Sequence, residues 1–235
     1  PSPEDMIATI RSRCRHLGLR IPTAAAVADL LVREGVATPE VALEAARAAQ
    51  SHIGLARALA RDPQMRERRR AIITAPASVR SVGEAVMAAD RLLETAKAQA
   101  DAQVSERNAS EKAELLRQLG MDEGESATKA SRTMIRQLEE DQKRRSKRAL
   151  TDAIDRALID LLAIYRDVLM VQVGGDGELI NTDLSDLVHE IAQDSTPRQT
   201  LARVDRIETA RKRLVSNGNP LLVLEDMAIS LRPQA

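Results

Sequence analysis

The chain of 235 residues is long enough for one large domain or two smaller ones. Its 35 Lys and Arg residues balance 35 Asp and Glu residues, which argues against a protein whose main task is to grip DNA phosphates. Phe and Trp are absent and Tyr165 is the single Tyr, which excludes the aromatic platforms on which single-stranded nucleic acid stacks.

Composition also indicates the fold class and the environment. Ala, Leu, Arg and Glu dominate, and because these residues are strong helix formers we expect an all-α protein. The single cysteine, Cys14, excludes a disulfide framework and a cysteine zinc site, and it fits a reducing cytoplasm. No apolar run reaches the roughly 20 residues of a membrane span and no signal peptide opens the chain, so we expect a cytoplasmic protein.

The first quarter of the chain predicts a short helix, a brief strand and a small helical bundle. Residues 3–14 follow a candidate N-cap, Ser2, and residues 15–21 alternate polar and apolar side chains as a strand does. The strand has no partner in the sequence, which suggests that the chain begins inside a domain. Three short helices follow at 23–61, with apolar faces formed by Ala26, Val27, Leu30 and Leu31, then Val41, Ala42, Ala45, Ala46 and Ala49, then Ile53, Ala56, Leu59 and Ala60.

The remaining chain predicts longer helices. A basic helix at 63–74 precedes a long helical pattern at 80–119, whose polar second half indicates exposure to solvent. A flexible loop, Gly120 to Thr128, separates it from a helix at 129–173 that is charged in its first half and apolar from Ala149 onward. The core face expected for 80–119 consists of Val82, Ala85, Val86, Ala89, Leu92 and Leu93. Helices at about 183–193, 197–216 and 220–232, each with a start signal, close the chain.

Motifs for chemistry are scarce. The chain has no GxxxxGK[ST] phosphate loop, no GxGxxG and no HExxH or CxxC, and its three histidines are far apart in sequence. We therefore expect no catalysis by this chain alone, no bound cofactor and no metal. One constellation is distinctive: Thr9-Ile10-Arg11-Ser12-Arg13-Cys14. On residue types alone it is explained by an arginine-rich helix end with a small buried cysteine.

The same residues resemble the SRC motif of the clamp-loader subunits of bacterial DNA polymerase III, with Ser12, Arg13 and Cys14 at the motif positions. In that family the arginine is supplied in trans to ATP on a neighbouring subunit. The resemblance implies that Arg13 is such an arginine finger, because a guanidinium offers permanent planar charge to a transferring phosphoryl group. Residues 1–22 would then be the tail of an AAA+ base domain.

The rest of the chain extends the resemblance. Residues 23–62 resemble the three-helix AAA+ lid, in which ATP-binding subunits carry a sensor arginine. Gly54 stands at that position and Arg57 lies one turn later, which favours the delta-prime type over the ATP-hydrolysing gamma/tau motor. Residues 63–235 resemble the helical collar, with a charged helical hairpin inserted at about 95–147. Two segments carry the collar resemblance: Tyr165-Arg166-Asp167-Val168-Leu169, and Asn217, Asn219, Pro220, Leu221, Leu224 and Glu225. Ordinary core packing and helix capping explain both segments equally well.

The resemblance implies a non-catalytic subunit of a DNA-directed DNA polymerase (nucleotidyltransferase) holoenzyme, which serves DNA replication. Its collar would join a pentameric loader, ATP would be bound by the partners, and no cofactor would be bound here. The implied partners are the gamma/tau and delta subunits, with the sliding clamp and primer-template DNA bound through the complex. Two alternatives remain: the gamma/tau motor ATPase, and a helical scaffold unrelated to replication. The scaffold would need sustained apolar heptads, and those in 95–147 are sparse.

Overall fold

The computed structural model describes residues 6–15, 18, 20–120 and 129–233. Every regular element in these ranges is a helix, which confirms the predicted all-α class. The chain divides into two compact units, Pro1–Arg61 and Asp62–Ala235. The loop predicted at 120–128 lies outside the described residues except for Gly120, which has a left-handed φ of 63°.

The described residues of the first unit form four helices: α1 (Ala8–Arg11), α2 (Ala24–Arg33), α3 (Pro39–Ala48) and α4 (Ile53–Arg61). The helix predicted at 3–14 is therefore too long, although residues 1–5 lie outside the description. The strand predicted at 15–21 is wrong where the structure describes it, at Arg15, Gly18, Arg20 and Ile21. Alternation alone does not make a strand, because extended backbone needs a partner for its N–H and C=O groups.

The bundle of α2, α3 and α4 follows from capping signals and small side chains. The Thr23 hydroxyl accepts a hydrogen bond from the Ala26 amide at 3.2 Å and starts α2. Gly35 ends α2 with φ 67°, and the Val36 amide donates to the Leu31 carbonyl at 2.9 Å. The core of the bundle comprises Val27, Ala28, Leu31, Ala42, Ala45, Ala46, Ala49, Ala56, Leu59 and Ala60. Ala28 takes the place expected for Ala26, which is exposed.

The second unit is built from longer helices. They are α5 (Pro63–Ser78), α6 (Val82–Gln118), α7 (Lys129–Gln172), a 3₁₀ turn (Thr182–Leu184), α8 (Ser185–Asp194), α9 (Pro197–Val215) and α10 (Pro220–Ser230). The predicted apolar half of α7 is confirmed: Ile154, Leu158, Leu161, Ile164, Tyr165 and Val168 are buried in the main core. The face predicted for α6 is correct at Ala85, Ala89 and Leu93 but wrong at Val82, which is 49% exposed in the first turn.

The charged halves of α6 and α7 pair as an antiparallel helical hairpin beyond this core. A minor cluster of Ala100, Val104 and Ala149 forms its base. Farther out, the Arg145 guanidinium donates to both carboxylate oxygens of Glu111, at 2.8 and 3.1 Å. Arg145 and then Arg107 lower the pKa of Glu111 by hydrogen bonding to its carboxylate. Polar contacts therefore hold α6 and α7 together in the part of the hairpin where apolar residues are few.

The turn between α9 and α10 explains the closing motif of the sequence. Asn217 has φ 61°, a conformation that asparagine tolerates better than most residues, and the Gly218 amide donates to the Arg213 carbonyl at 2.8 Å. Asn219 then caps α10, its side-chain oxygen accepting from the Leu221 amide at 3.0 Å. The Asn-Gly-Asn-Pro run is therefore a helix stop followed directly by a helix start.

Gly218→Ala should destabilise the second unit. A Cβ at this position would lie 2.8 Å from the Arg213 carbonyl oxygen, so the turn must shift, at a cost of about 1–3 kcal/mol. Urea unfolding followed by the fluorescence of Tyr165 measures this, because Tyr165 lies in the core of that unit. Gly83→Ala is the matched control: its nearest neighbouring atom is 4.0 Å away, and we expect no loss of stability. Equal losses in both variants would contradict this explanation of the turn.

Candidate functional site

The segment that resembles the SRC motif forms the end of α1 and the turn after it. The Ser12 hydroxyl donates to the Thr9 carbonyl at 3.2 Å, and the Arg13 amide donates to the Ile10 carbonyl at 3.0 Å. Arg13 is exposed and forms no ion pair within the described residues. Cys14 is also exposed, which is contrary to a buried structural cysteine. The guanidinium and the thiol are both open to a partner.

Gly54, the position that the resemblance gives to a sensor arginine, lies in the first turn of α4. The Leu55 amide donates to Nδ1 of His52 at 3.1 Å, so His52 acts as the cap of α4. A Cβ on Gly54 would contact the His52 ring at 3.4 Å. Arg57, one turn on, donates to both carboxylate oxygens of Glu34, at 2.7 and 2.9 Å for Nη2. Its guanidinium is thereby committed to joining α4 to the end of α2.

In the second unit, Arg166 and Asp167 of the segment Tyr165-Arg166-Asp167 belong to a buried polar network. Asp167 is fully buried, and its carboxylate accepts hydrogen bonds from the amides of Ile180 and Asn181, at 3.0 and 2.8 Å. The side-chain amide of Asn181 and the Arg166 guanidinium donate to the same carboxylate, at 2.9 and 2.8 Å. Arg166 also donates to the Glu178 carbonyl at 2.8 Å. Four donors therefore satisfy this buried charge.

The network continues to α5 through Arg69, which no sequence motif indicates. Arg69 donates to the Asn181 side-chain oxygen at 2.6 Å and to the Asp160 carboxylate at 3.0 Å. Burial raises the pKa of Asp160, and the Arg69 cation opposes this rise. Because Arg69 and Asn181 are 112 residues apart, no local spacing could reveal their contact. Arg69 fixes α5 to the surface of α7.

Beside this anchored helix lies a groove with a volume of about 1010 Å³. One wall is α5 and the other is the first part of α6. Apolar side chains form most of the groove surface, including Ile72, Ala75, Val79, Ala88, Leu92 and Met227. Its edges carry charges of both signs, from Arg68, Asp90, Arg91 and Glu94. We call this the α5–α6 groove; an apolar floor with a polar rim is the anatomy of a protein interface.

Two classes of site find no support in the described parts of the chain. No three His, Cys, Asp or Glu side chains there lie close enough together to hold a metal ion. None of the helices described is long and apolar enough to cross a membrane.

Comparison with known proteins finds similarity over part of the chain. The family described as "DNA polymerase III, delta subunit, C terminal" matches residues 126–232, which include α7 to α10 and the buried network around Asp167. The delta-prime subunit of DNA polymerase III from Bacillus subtilis (strain 168) is 36% identical over 72 residues. That match covers 31% of this chain and 22% of the relative, so the chain spans well under two thirds of it. No solved structure matches significantly.

These matches relate the chain to the subunits of a bacterial replicative polymerase. The relative matched is a delta-prime subunit, which is the type of clamp-loader subunit that the sequence itself resembles.

Asp167→Asn should lower the free energy of unfolding of the second unit. An amide would present its own N–H groups to donors that now meet a carboxylate, and a loss of about 2–4 kcal/mol is expected for a broken buried charge network. Urea unfolding read by Tyr165 fluorescence measures the loss. Asp152→Asn, an exposed position on the same helix, should change stability by less than about 0.5 kcal/mol. A similar effect from both variants would show that Asp167 is not an anchor.

Proposed function

We propose that this protein is a non-catalytic clamp-loader subunit of the delta-prime type, which assembles through its second unit and supplies an arginine finger from its first. Residues 23–62 would be the AAA+ lid and 63–235 the collar. The partners would be the motor and delta subunits, with the sliding clamp and primer-template DNA engaged through the complex. The observation that carries the proposal is the family match over residues 126–232. A bacterial replication protein of this kind would work in the cytoplasm.

The α5–α6 groove supports a role in assembly. It exposes an apolar floor that the described part of this chain leaves uncovered, and an obligate interface often buries more than about 2,000 Å² of largely apolar surface. A helix from a neighbouring subunit would fit between α5 and α6, and the mixed charges of the rim would set its register. Helix packing distances of roughly 8–10 Å suit a groove bounded by two helices.

The exposed Arg13 supports the arginine-finger role. A finger must reach a phosphate on another subunit, so its guanidinium cannot be committed within its own chain. Arg13 meets this condition among the described residues, whereas Arg57 does not, because it is bound to Glu34. The motor ATPase alternative would need an arginine that faces bound nucleotide at the position of Gly54. Gly54 has no side chain, and the nearby Arg57 is bound to Glu34, so both observations disfavour that alternative.

Arg13→Ala should leave assembly intact and lower ATP turnover in a clamp loader reconstituted with the full gene product. An arginine finger contributes roughly 10³–10⁵ in rate in the best-studied GTPases, and we expect a loss of at least about tenfold here. The measurement is steady-state ATP hydrolysis with clamp and primed DNA. Arg11→Ala is the matched control, since Arg11 lies two residues away at a non-motif position. Unchanged turnover in Arg13→Ala would refute the assignment.

Ala88→Glu should block assembly without unfolding the chain. Ala88 is half-buried in the wall of the α5–α6 groove, and a charge there would be trapped against apolar surface in the complex. Light scattering on a sizing column, with the motor and delta subunits added, should show no co-elution. Ala98→Glu, exposed on the same helix outside the groove, should assemble normally. Assembly of Ala88→Glu at normal strength would exclude the groove as the interface.

A further inference from the structure

A second, smaller cavity in the second unit is lined by charged and hydroxyl-bearing side chains. It lies between the end of α5, the end of α8 and the middle of α9, and its volume is about 50 Å³. Its polar side chains are two cations, two hydroxyls and two acids: Arg80, Arg203, Tyr165, Ser195, Glu190 and Asp194. None of these residues belongs to the α5–α6 groove or to the hydrogen bonds around Asp167.

Arg203 is the unusual member of this group. It is only 5% exposed, yet within the described part of the chain it has no carboxylate partner. Its guanidinium donates to the Pro233 carbonyl at 3.2 Å and lies 5.9 Å from the centre of the Tyr165 ring. A guanidinium has five N–H donors, and among the described residues the hydrogen bond to the Pro233 carbonyl is the one that Arg203 makes. A buried cation is stabilised far more by an opposite charge than by one neutral carbonyl.

The acids beside the cavity do not supply that charge. Neither Glu190 nor Asp194, both in the second half of α8, forms an ion pair with Arg203. Arg80, the second cation, donates to the carbonyls of Ala77 and Val79, and no acid of the described ranges pairs with it. Two guanidinium groups therefore line one cavity, and within the described residues each donates hydrogen bonds to neutral carbonyls alone.

We infer that this cavity is a binding site for a carboxylate group, which pairs with Arg203 and accepts a hydrogen bond from Tyr165. One water needs roughly 10–15 Å³ of such space, so the cavity has room for a few water-sized groups, about the size of a carboxylate. The planar fork of a guanidinium matches two carboxylate oxygens. Burial raises the pKa of Tyr165 to about 12, so near neutral pH its hydroxyl carries its proton and can donate it.

Tyr165 makes the site directly observable. The chain has one Tyr and neither Trp nor Phe, so its intrinsic fluorescence reports this residue alone. The experiment titrates the full chain with sodium acetate near pH 7, with ionic strength held constant by sodium chloride. Acetate should change the fluorescence of Tyr165 saturably. A change that is linear, or is equalled by chloride, would overturn the assignment.

Three variants locate the effect. Arg203→Lys keeps the charge but loses the planar fork, and should weaken acetate binding at least about tenfold, as expected for losing one charge-assisted hydrogen bond. Arg206→Lys, exposed one turn along α9, should bind acetate as the parent chain does. Asp194→Asn removes a repelling charge and should bind acetate more tightly. A folded Arg203→Lys, verified by its melting curve, that binds acetate normally would contradict the proposal, as would weaker binding by Asp194→Asn.

The source of the carboxylate is resolved by a second arm. Hexaglutamate and hexaglutamine peptides replace acetate in the same titration. Tighter binding of hexaglutamate than of acetate at equal carboxylate concentration would assign the site to an acidic segment of a partner protein. Equal binding would assign it to a free small carboxylate. Absence of a saturable response to both acetate and hexaglutamate would overturn the proposal. This site is independent of the clamp-loader proposal, whose tests use ATP turnover and assembly.

Discussion

The buried carboxylate of Asp167 is the constraint on which the second unit depends. It holds the connection between α7 and α8 against the central helix, although that connection has little regular structure of its own. Through Asn181 the same network reaches Arg69 and so determines where α5 lies on α7. Because α5 is one wall of the α5–α6 groove, the buried contacts of Asp167 in α7 help to determine the shape of a groove whose walls are distant from Asp167 in sequence.

The hairpin of α6 and α7 follows a different principle. Its base shares the apolar core, but its outer half has few buried residues and many exposed ion pairs. Such pairs contribute little each, so the hairpin depends on helix length and on cross-helix contacts such as Arg145 with Glu111. The family match begins at residue 126 and includes the whole of α7, so this helix belongs both to the charged hairpin and to the apolar core of the second unit.

Much of the fold could be predicted from local chemistry. Helix starts at Thr38-Pro39, Thr196-Pro197 and Asn219-Pro220 are readable because capping and proline signals act within a few residues. The strand at 15–21 is a wrong prediction at the residues of that range that the structure describes, since alternation gives no information on a pairing partner. The polar network could not be predicted, because it joins residues far apart in the chain. The α5–α6 groove could not be predicted either: its two walls are consecutive helices, but their positions are set by packing against α7 and α10. Likewise, the motif Tyr165-Arg166-Asp167 is visible as a pattern, but only the structure gives each side chain its contact.

The two units differ in which of their charged side chains are bound within the chain. In the second unit, Arg166 and Asp167 make hydrogen bonds within the chain. The α5–α6 groove and the small cavity are surfaces that remain open to binding. In the first, Arg13 and Cys14 are exposed and Arg57 is committed to Glu34. A protein that completes the site of a neighbouring subunit, without operating one of its own, would show this distribution of free and committed guanidinium groups.

Hydrogen exchange, measured on the protein alone and in a reconstituted clamp loader, tests the central claim most directly. Assembly through the α5–α6 groove predicts new protection in peptides that cover residues 72–79 and 84–95, while the Asp167 network is protected in both states. A complex that forms without protecting either groove wall would contradict the account, as would failure of the full gene product to join the motor and delta subunits.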